Sequence, residues 1–299
     1  MKVAISGASG LIGGALARGL SADGAEVVRL VRREAGSADE IGWDPLASHD
    51  GLDPAALTGV DAVVHLSGAP IASGRWTRAR KARLRASRIE STRTLAAAMA
   101  AAQAGPRVLL CGSAIGYYGD TADQITDETA PSGAGFLAEL VSDWEAATDP
   151  ATAAGVRVAH LRSGVVLAAD GGMLGRLLLP FRLGLGAKIG SGSQYFSWIA
   201  ITDEVRAIRF LLGDDDASGP FNLTAPEPVT NAEFTRALAR AMGRPAVLGL
   251  PSVALRAALG EVASELLGSA RIVPRRLTDA GFTFSHPDIA GALSAVLAS

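Results

Sequence analysis

Residues 1–13 read MKVAISGASGLIG. A short apolar run, KVAIS, enters three glycines spaced by three, Gly7, Gly10 and Gly13. The chain leaves them in a run whose apolar residues Leu11, Ile12, Ala15, Leu16 and Leu20 fall on one helical face, and that run stops at Gly24. Strand, glycines, then helix start is the arrangement that receives a pyrophosphate. The first glycine permits the tight turn, the second removes a side chain that would hold the backbone off the phosphates, and the third lets helix and strand pack closely. The helix N-terminus adds unpaired N–H groups and a positive dipole end. The spacing is G-x-x-G-x-x-G rather than G-x-G-x-x-G, so the position directly between strand and helix carries the reading; the competing one is a merely tight turn.

Outward from this turn, strand-like and helix-like runs alternate. EVVRLVR, DAVVHLSG, RVLLCGSA and VRVAHLRSGVVLA read as further strands. Their unbroken apolar stretches suit a sheet covered on both faces. A long helix is expected from roughly Arg78 to Ala102, basic in its first half and alanine-rich in its second. The pattern predicts an α/β fold, a doubly wound parallel sheet. After about residue 168 the texture changes to AADGGMLGRLLLPFRLGLGAKIGSGSQYFSW, expected to form a helix and then a long loop able to cover a site. TNAEFTRALARAM is a helix opened by a capping box, Thr230 with Glu233. The tail is helical, punctuated by Pro251, Pro274 and Pro287. Residues 1–167, with contributions from about 200–225, form the expected nucleotide-binding unit, and 168–299 a smaller, mostly helical, substrate-side region.

Composition limits the functions open to the 299-residue chain. A net charge of -2 points away from nucleic acid and from an acidic membrane. A single cysteine, Cys111, excludes an internal disulfide framework, reads as a small buried hydrophobe, and fits a reducing, cytoplasmic location. One cysteine and four histidines make no recognisable zinc site, and no metal is expected. No apolar run reaches the length of about 18 residues that a membrane span needs, and Met1 leads into a strand, so no signal peptide is expected.

The end of the second strand selects the nucleotide. An acid there binds a ribose 2′-hydroxyl, whereas an arginine accommodates a 2′-phosphate. This chain has Arg32 and Arg33, followed by Glu34, so either arginine favours NADP. Trp43 either walls an adenine or belongs to the core. In the basic helix, Arg75 to Arg88 form either a solvated face or a source of one or two arginines for a phosphate-bearing ligand.

GASGLIG, then HLSGAPI and GSAIGYYGD after two later strands, resemble an extended or atypical short-chain dehydrogenase/reductase. GRWT with SRIEST, LRSGVVLAADGGMLGRLLLPFRLGLG, IGSGSQYFSWI, GPFNLTAPEPVTNAEF and LGSARIVPRRLTDAGFTF resemble, over nearly the whole chain, its nucleoside-diphosphate-sugar epimerase-like members, whose C-terminal module has no assigned function. The resemblance implies NADP(H) on a Rossmann-type fold. By position its contacts are Gly7, Ser9, Gly10, Leu11, Ile12, Gly13, Val31, Arg32, Leu66, Ser67, Arg88 and Val166. It also implies a small or sugar-like substrate and a homodimer, the common assembly of the superfamily.

Enzymes of that superfamily usually carry Ser, Tyr and Lys, the last two as Y-x-x-x-K, with the lysine lowering the tyrosine pKa for proton transfer. In FLAELVSDW, Phe136 stands where the tyrosine is expected and Leu140 where the lysine is expected; no lysine occurs between Lys81 and Lys188. Ser113 keeps the serine position, and Tyr117 and Tyr118 follow on a loop expected near the nicotinamide. Ser113 and Tyr117 are the candidate catalytic pair, with Glu139 outside it; the competing reading has Ser113 cap the strand and the tyrosines pack. Two functions follow: an NADP(H)-dependent oxidoreductase or epimerase-like enzyme with a non-standard proton donor, or a non-catalytic NADP(H)-binding sensor related to cell-division regulators. Gln194, Tyr195 and Trp198, read as ligand-enclosing, favour the enzyme; the missing dyad favours the sensor.

Overall fold

The computed structural model describes residues 1–47, 50–71 and 74–298. Its first strand, β1 (Lys2–Ser6), is buried from Val3 onward. Val3 and Ile5 point into one apolar cluster and Ala4 into another, as a strand covered on both faces requires. The glycine turn delivers the chain into α1 (Leu11–Ala22), which is followed by β2 (Glu26–Val31) and a short β3 (Glu40–Gly42). The sequence pattern did not predict β3; three residues are too few for alternation to register. Next come β4 (Ala62–His65) and α2 (Arg78–Ala101), capped by the Thr77 hydroxyl, which accepts from the Arg80 N–H at 3.2 Å. Then follow β5 (Val108–Ala114), α3 (Phe136–Ala146), α4 (Asp149–Ala153) and β6 (Arg157–Ser163).

The expected single strand VRVAHLRSGVVLA is two. Gly164 separates β6 from β7 (Val165–Ala168), and a Cβ at that glycine would lie 2.9 Å from the Ser197 carbonyl oxygen. The chain turns out of the main sheet where only glycine fits. β7 then pairs in parallel with β10 (Trp198–Ala200). Between them lie α5 (Gly172–Arg182), β8 (Ala187–Ile189) and β9 (Tyr195–Phe196). Beyond β10 come α6 (Ile201–Gly213), β11 (Gly219–Leu223), β12 (Val229–Thr230), α7 (Asn231–Ala241) and β13 (Leu248–Leu250). The chain finishes with α8 (Ser252–Leu259), α9 (Val262–Leu267), α10 (Arg275–Asp279) and α11 (Ile289–Ala298).

The central sheet has seven strands in the order β11-β6-β5-β4-β1-β2-β3, and every pairing in it is parallel. This is the Rossmann-type doubly wound order, which reverses direction between β1 and β4. One face packs Leu84, Leu95 and Met99 of α2 with Leu140 and Trp144 of α3. The other packs Leu16 and Leu20 of α1 with Ile208 and Leu211 of α6. A third cluster unites Leu167, Leu174, Phe181, Trp198, Phe234, Leu238 and Leu293.

The segment after α5, expected as a long loop, is pinned by short strands. β8 pairs with β13, and β9 with β12, across separations that no local pattern reveals. The capping box opening α7 is present in full, Thr230 and Glu233 each bonding the other's backbone N–H.

Candidate active site

The C-terminal ends of β1, β2, β4, β5 and β6 open on one edge of the sheet, where ligands bind in folds of this order. Gly7 has φ +75, and a Cβ there would sit 2.8 Å from the Leu66 carbonyl oxygen, so the turn needs glycine on two counts. A Cβ on Gly13 would overlap the Gly7 carbonyl. The two glycines thus let α1 start directly against the end of β1. Gly10 caps α1 with no side-chain bond, and the first turn carries no acid, so its N–H groups face outward uncompensated. Ser9 and Gly10 are exposed there; Ile12 is partly covered, packing with the α1–α6 cluster.

Leu66 and Ser67 follow β4 beside this turn, the Leu66 N–H bonding the Ser6 carbonyl at 3.1 Å. The next residue, Gly68, lies against Arg88: a Cβ on it would be 3.2 Å from the guanidinium carbon. Arg88 is buried, donates to the Ala69 carbonyl at 3.0 Å, and carries a buried Nε with no hydrogen-bond partner among the described residues. Burial pulls its pKa down to about 10, with the charge of Arg80 adding to the effect. A buried, underused cation beside the glycine turn is chemically suited to meet an anion. On the far side of the turn Leu11 packs on Gly171 and Gly172, and the Gly172 backbone approaches the Val166 carbonyl. Leu11, Leu66, Ser67, Arg88 and Val166 thus lie around the glycine turn.

Val31 ends β2, and Arg32 and Arg33 follow. Arg33 forks onto Glu40 at 2.7 and 2.8 Å. Arg32 is exposed and makes no bond with any described residue. The basic helix is mostly spoken for in the same way. Arg75 donates to the Ala257 carbonyl, Arg80 to that of Pro70, Lys81 pairs with Glu261 and Arg85 with Asp143. Trp43 is buried edge-on to His65, in the core.

At the end of β5 the Ser113 hydroxyl donates to Glu145 Oε1 at 2.6 Å. Glu145, from the last turn of α3, is held by Arg162 of β6 through two bonds, both at 2.8 Å. Burial pushes the Glu145 carboxyl up, but the Arg162 bonds outweigh it and hold it below its ordinary value. Burial likewise opposes the Arg162 charge, and the Glu145 pair more than restores it. The Arg162 guanidinium lies 3.5 Å from the centre of the Tyr117 ring and donates to the Tyr118 hydroxyl at 2.9 Å. Tyr118 passes its own proton to Asn222 Oδ1 at 2.8 Å and is buried, which raises its pKa.

The structure brings Ser113 and Tyr117 together through a buried ion pair that the sequence reading did not single out. Its signal was there: a charged Arg162 inside the apolar run VAHLR needs a buried partner. Glu139 is exposed and takes no part. Phe136 packs on Trp76 with ring centres 5.1 Å apart, and Leu140 is fully buried, so apolar packing fills the dyad positions. Gln194, Tyr195 and Trp198, expected to enclose a ligand, are scaffold instead. Gln194 bonds the Ile189 and Leu266 carbonyls, Tyr195 stacks on Arg271, and Trp198 is fully buried with its indole N–H on the Glu227 carbonyl. Their polarity serves to hold the β8–β10 segment in place.

A buried carboxylate stands apart from this network. Glu204 accepts from the Ser163 hydroxyl at 2.6 Å, its other oxygen has no partner among the described residues, and burial raises its pKa to about 8. Among the described residues no cluster of His, Cys, Asp or Glu has metal-holding geometry.

The model of the NAD dependent epimerase/dehydratase family matches residues 3–224. The chain belongs to that family. A domain of unknown function, DUF1731, matches residues 250–296. An epimerase family protein of Mycobacterium tuberculosis is 52% identical over 292 residues, 97% of this chain and 96% of its own length. The crystal structure of human epimerase family protein SDR39U1 (isoform 2) with NADPH superposes with TM-score 0.90 at 36% identity, covering 99% of both chains. That of a nucleoside-diphosphate sugar epimerase from Corynebacterium glutamicum superposes with TM-score 0.82, also at 36% identity, over 99% of this chain and 58% of that one.

Proposed function

We propose that this epimerase-family chain is an NADP(H)-dependent oxidoreductase or epimerase-like enzyme acting on a small, sugar-like substrate. The observation that carries the reading is the placement of Tyr117 over the buried Arg162–Glu145 pair, with Ser113 on the same carboxylate.

The residues of the crevice fit the cofactor: a glycine turn with no room for a Cβ, an uncapped helix N-terminus, an unpaired Arg32 and an Arg88 with an unused buried N–H. Gly7 to Gly13 would hold the pyrophosphate, with Leu66, Ser67 and Val166 walling the crevice. Arg32 would hold the 2′-phosphate, while Arg33 is committed to Glu40. Arg88 would meet a further anionic or carbonyl group. The bound nucleotide supplies hydride transfer at its nicotinamide ring.

The chain supplies the proton. The Tyr117 hydroxyl gives it to, or takes it from, the substrate oxygen. Arg162 lies against the ring as a positive charge and holds the tyrosine in place. Because Ser113 has committed its proton to Glu145, its oxygen offers only lone pairs, and so it accepts a hydrogen bond from a substrate hydroxyl and orients it. In this reading residues 1–167 with 200–225 hold the cofactor and 168–299 close over the substrate, in a cytoplasmic protein that pairs as a homodimer.

A screen of sugar-like alcohols and ketones for NADPH oxidation or NADP reduction tests the reading. Ser113→Ala with Tyr117→Phe abolishes turnover of any substrate found; surviving turnover would place the chemistry elsewhere. The packing of Phe136 and Leu140 in the dyad positions favours a second reading, a non-catalytic NADP(H)-binding sensor. It predicts nucleotide binding with no turnover across the screen.

A further inference from the structure

Away from the crevice, the C-terminal part of the chain presents an apolar strip in an arginine-rich setting. Leu179 and Leu183 stand one helical turn apart at the end of α5, and both are exposed, as is Leu185 after them. Gly186 then comes close to Ala246: a Cβ on the glycine would lie 3.1 Å from the alanine's. Val247 and Leu248 follow Ala246, and Leu248 pairs with Ala187 across the two-stranded β8–β13 sheet. Val247 is 86% exposed. The five exposed side chains thus gather where the end of α5 meets β13.

Beside the strip, sharing Ala246, is a shallow cleft of ≈ 340 Å³ walled by Arg236, Arg240 and Arg244 over Ala239 and Gly243. The side chains of Arg240 and Arg244 make no hydrogen bond or ion pair with any described residue. Residues 171–202 contain Arg176, Arg182 and Lys188, residues 234–250 contain these three arginines, and neither stretch holds an aspartate or glutamate. The net charge of -2 conceals this, because the acids lie in other parts of the sequence.

We infer that this face docks on an anionic lipid surface. Exposed leucine and valine side chains enter the boundary between headgroups and acyl chains, and the free arginines meet the headgroup phosphates. A second copy of the chain is a poorer occupant, since a two-fold contact on this face would set arginine against arginine. No helix among the described residues is long and apolar enough to cross a membrane, so the chain lies on the surface. The expectation of no membrane partner came from total charge, which does not report where charge is placed. The inference is independent of the nucleotide reading.

Co-sedimentation with vesicles of phosphatidylcholine alone, and of phosphatidylcholine mixed with phosphatidylglycerol, tests it. Retention on the mixed vesicles only, weakening as salt rises, is the expected result. Each basic residue at such a surface is worth about fivefold in partitioning, so Arg240→Glu with Arg244→Glu lowers retention by about 25-fold or more. Leu183→Ser with Val247→Ser weakens it without changing charge. Both pairs keep the far-UV spectrum and thermal midpoint of the parent, because every changed side chain is exposed. No retention on mixed vesicles, equal retention on phosphatidylcholine alone, or full retention by the charge-reversed pair overturns the inference. Conversion of a dimer to a monomer by the same substitutions also overturns it, by making the face an interface between copies.

Discussion

The Arg162 guanidinium carbon lies 3.5 Å from the centre of the Tyr117 ring, and Glu145 holds the same guanidinium by its Nε and Nη2 edge. The positive charge beneath the proposed proton donor thus comes from the sheet, one strand over, and not from the helix that carries lysine in relatives with the dyad. Arg162 is itself buried and doubly bonded to Glu145, so the charge has little freedom to move.

Two substitutions separate the chemistry from the scaffold. Tyr117→Phe leaves the thermal midpoint within a degree or two and NADPH affinity unchanged, while lowering turnover by about 10²-fold or more. Arg162→Met strands the buried Glu145 charge and costs about 3–5 kcal/mol in urea unfolding. Adding Glu145→Gln to Arg162→Met recovers much of that loss, because the lone charge is gone. Arg162→Lys keeps the charge but loses both the fork on Glu145 and the guanidinium contact with the Tyr117 ring, so it is not a silent change.

Neighbouring glycines of α1 behave oppositely. Gly13→Ala drives a methyl into the Gly7 carbonyl, costs about 3 kcal/mol of stability and removes nucleotide binding. Gly14→Ala meets only ordinary contacts, 3.4 Å from the Ala8 carbonyl oxygen, and gains about 0.5–1 kcal/mol by ordinary helix preference. Chemical denaturation and nucleotide titration of the two variants check both statements.

Glu204 sets the alkaline limb of the stability curve. Its carboxyl has a pKa of about 8 when folded against 4.5 for an ordinary glutamate. Between those values the unfolded chain has lost a proton that the folded chain keeps. Stability is therefore fully present below 4.5, and declines as pH rises through 8. Glu204→Gln removes this decline: its thermal midpoint exceeds that of the parent at pH 8.5, and the two converge at pH 5. His65 sets the acid limb. Burial lowers its pKa from 6.5 to about 4, so the unfolded chain takes up a proton first, and stability falls as pH drops from 6.5 through 4.

The parts of this molecule legible in its sequence are those written locally. The glycine turn, the strands with continuous apolar runs, the long α2 and the Thr230–Glu233 box each rest on a few adjacent residues whose backbone or burial requirement is strong. What was hidden rests on partners far along the chain. β3, β8 and β13 are three residues each and exist because of the strand beside them. The split at Gly164 follows from the approach of Ser197. Gln194, Tyr195 and Trp198 are polar or aromatic in a glycine-rich stretch, which in isolation reads as a ligand wall; only the fold shows their hydrogen-bonding groups turned to backbone carbonyls or their rings to other side chains. Arg162 and Glu145, 17 residues apart, meet across an α3–β6 contact. Arg88 stood out from its basic helix only by family resemblance, and its unused buried N–H gives that choice a physical basis.

Titration of the purified chain with NADPH and with NADH, followed by reduced-nicotinamide fluorescence and repeated for Arg32→Ala and Arg33→Ala, tests the central claim most directly. The account predicts tight NADPH binding, weaker NADH binding, loss of the preference in Arg32→Ala and its retention in Arg33→Ala, whose side chain is committed to Glu40. Binding of neither nucleotide by the parent chain would contradict the account, leaving the glycine turn as scaffold alone.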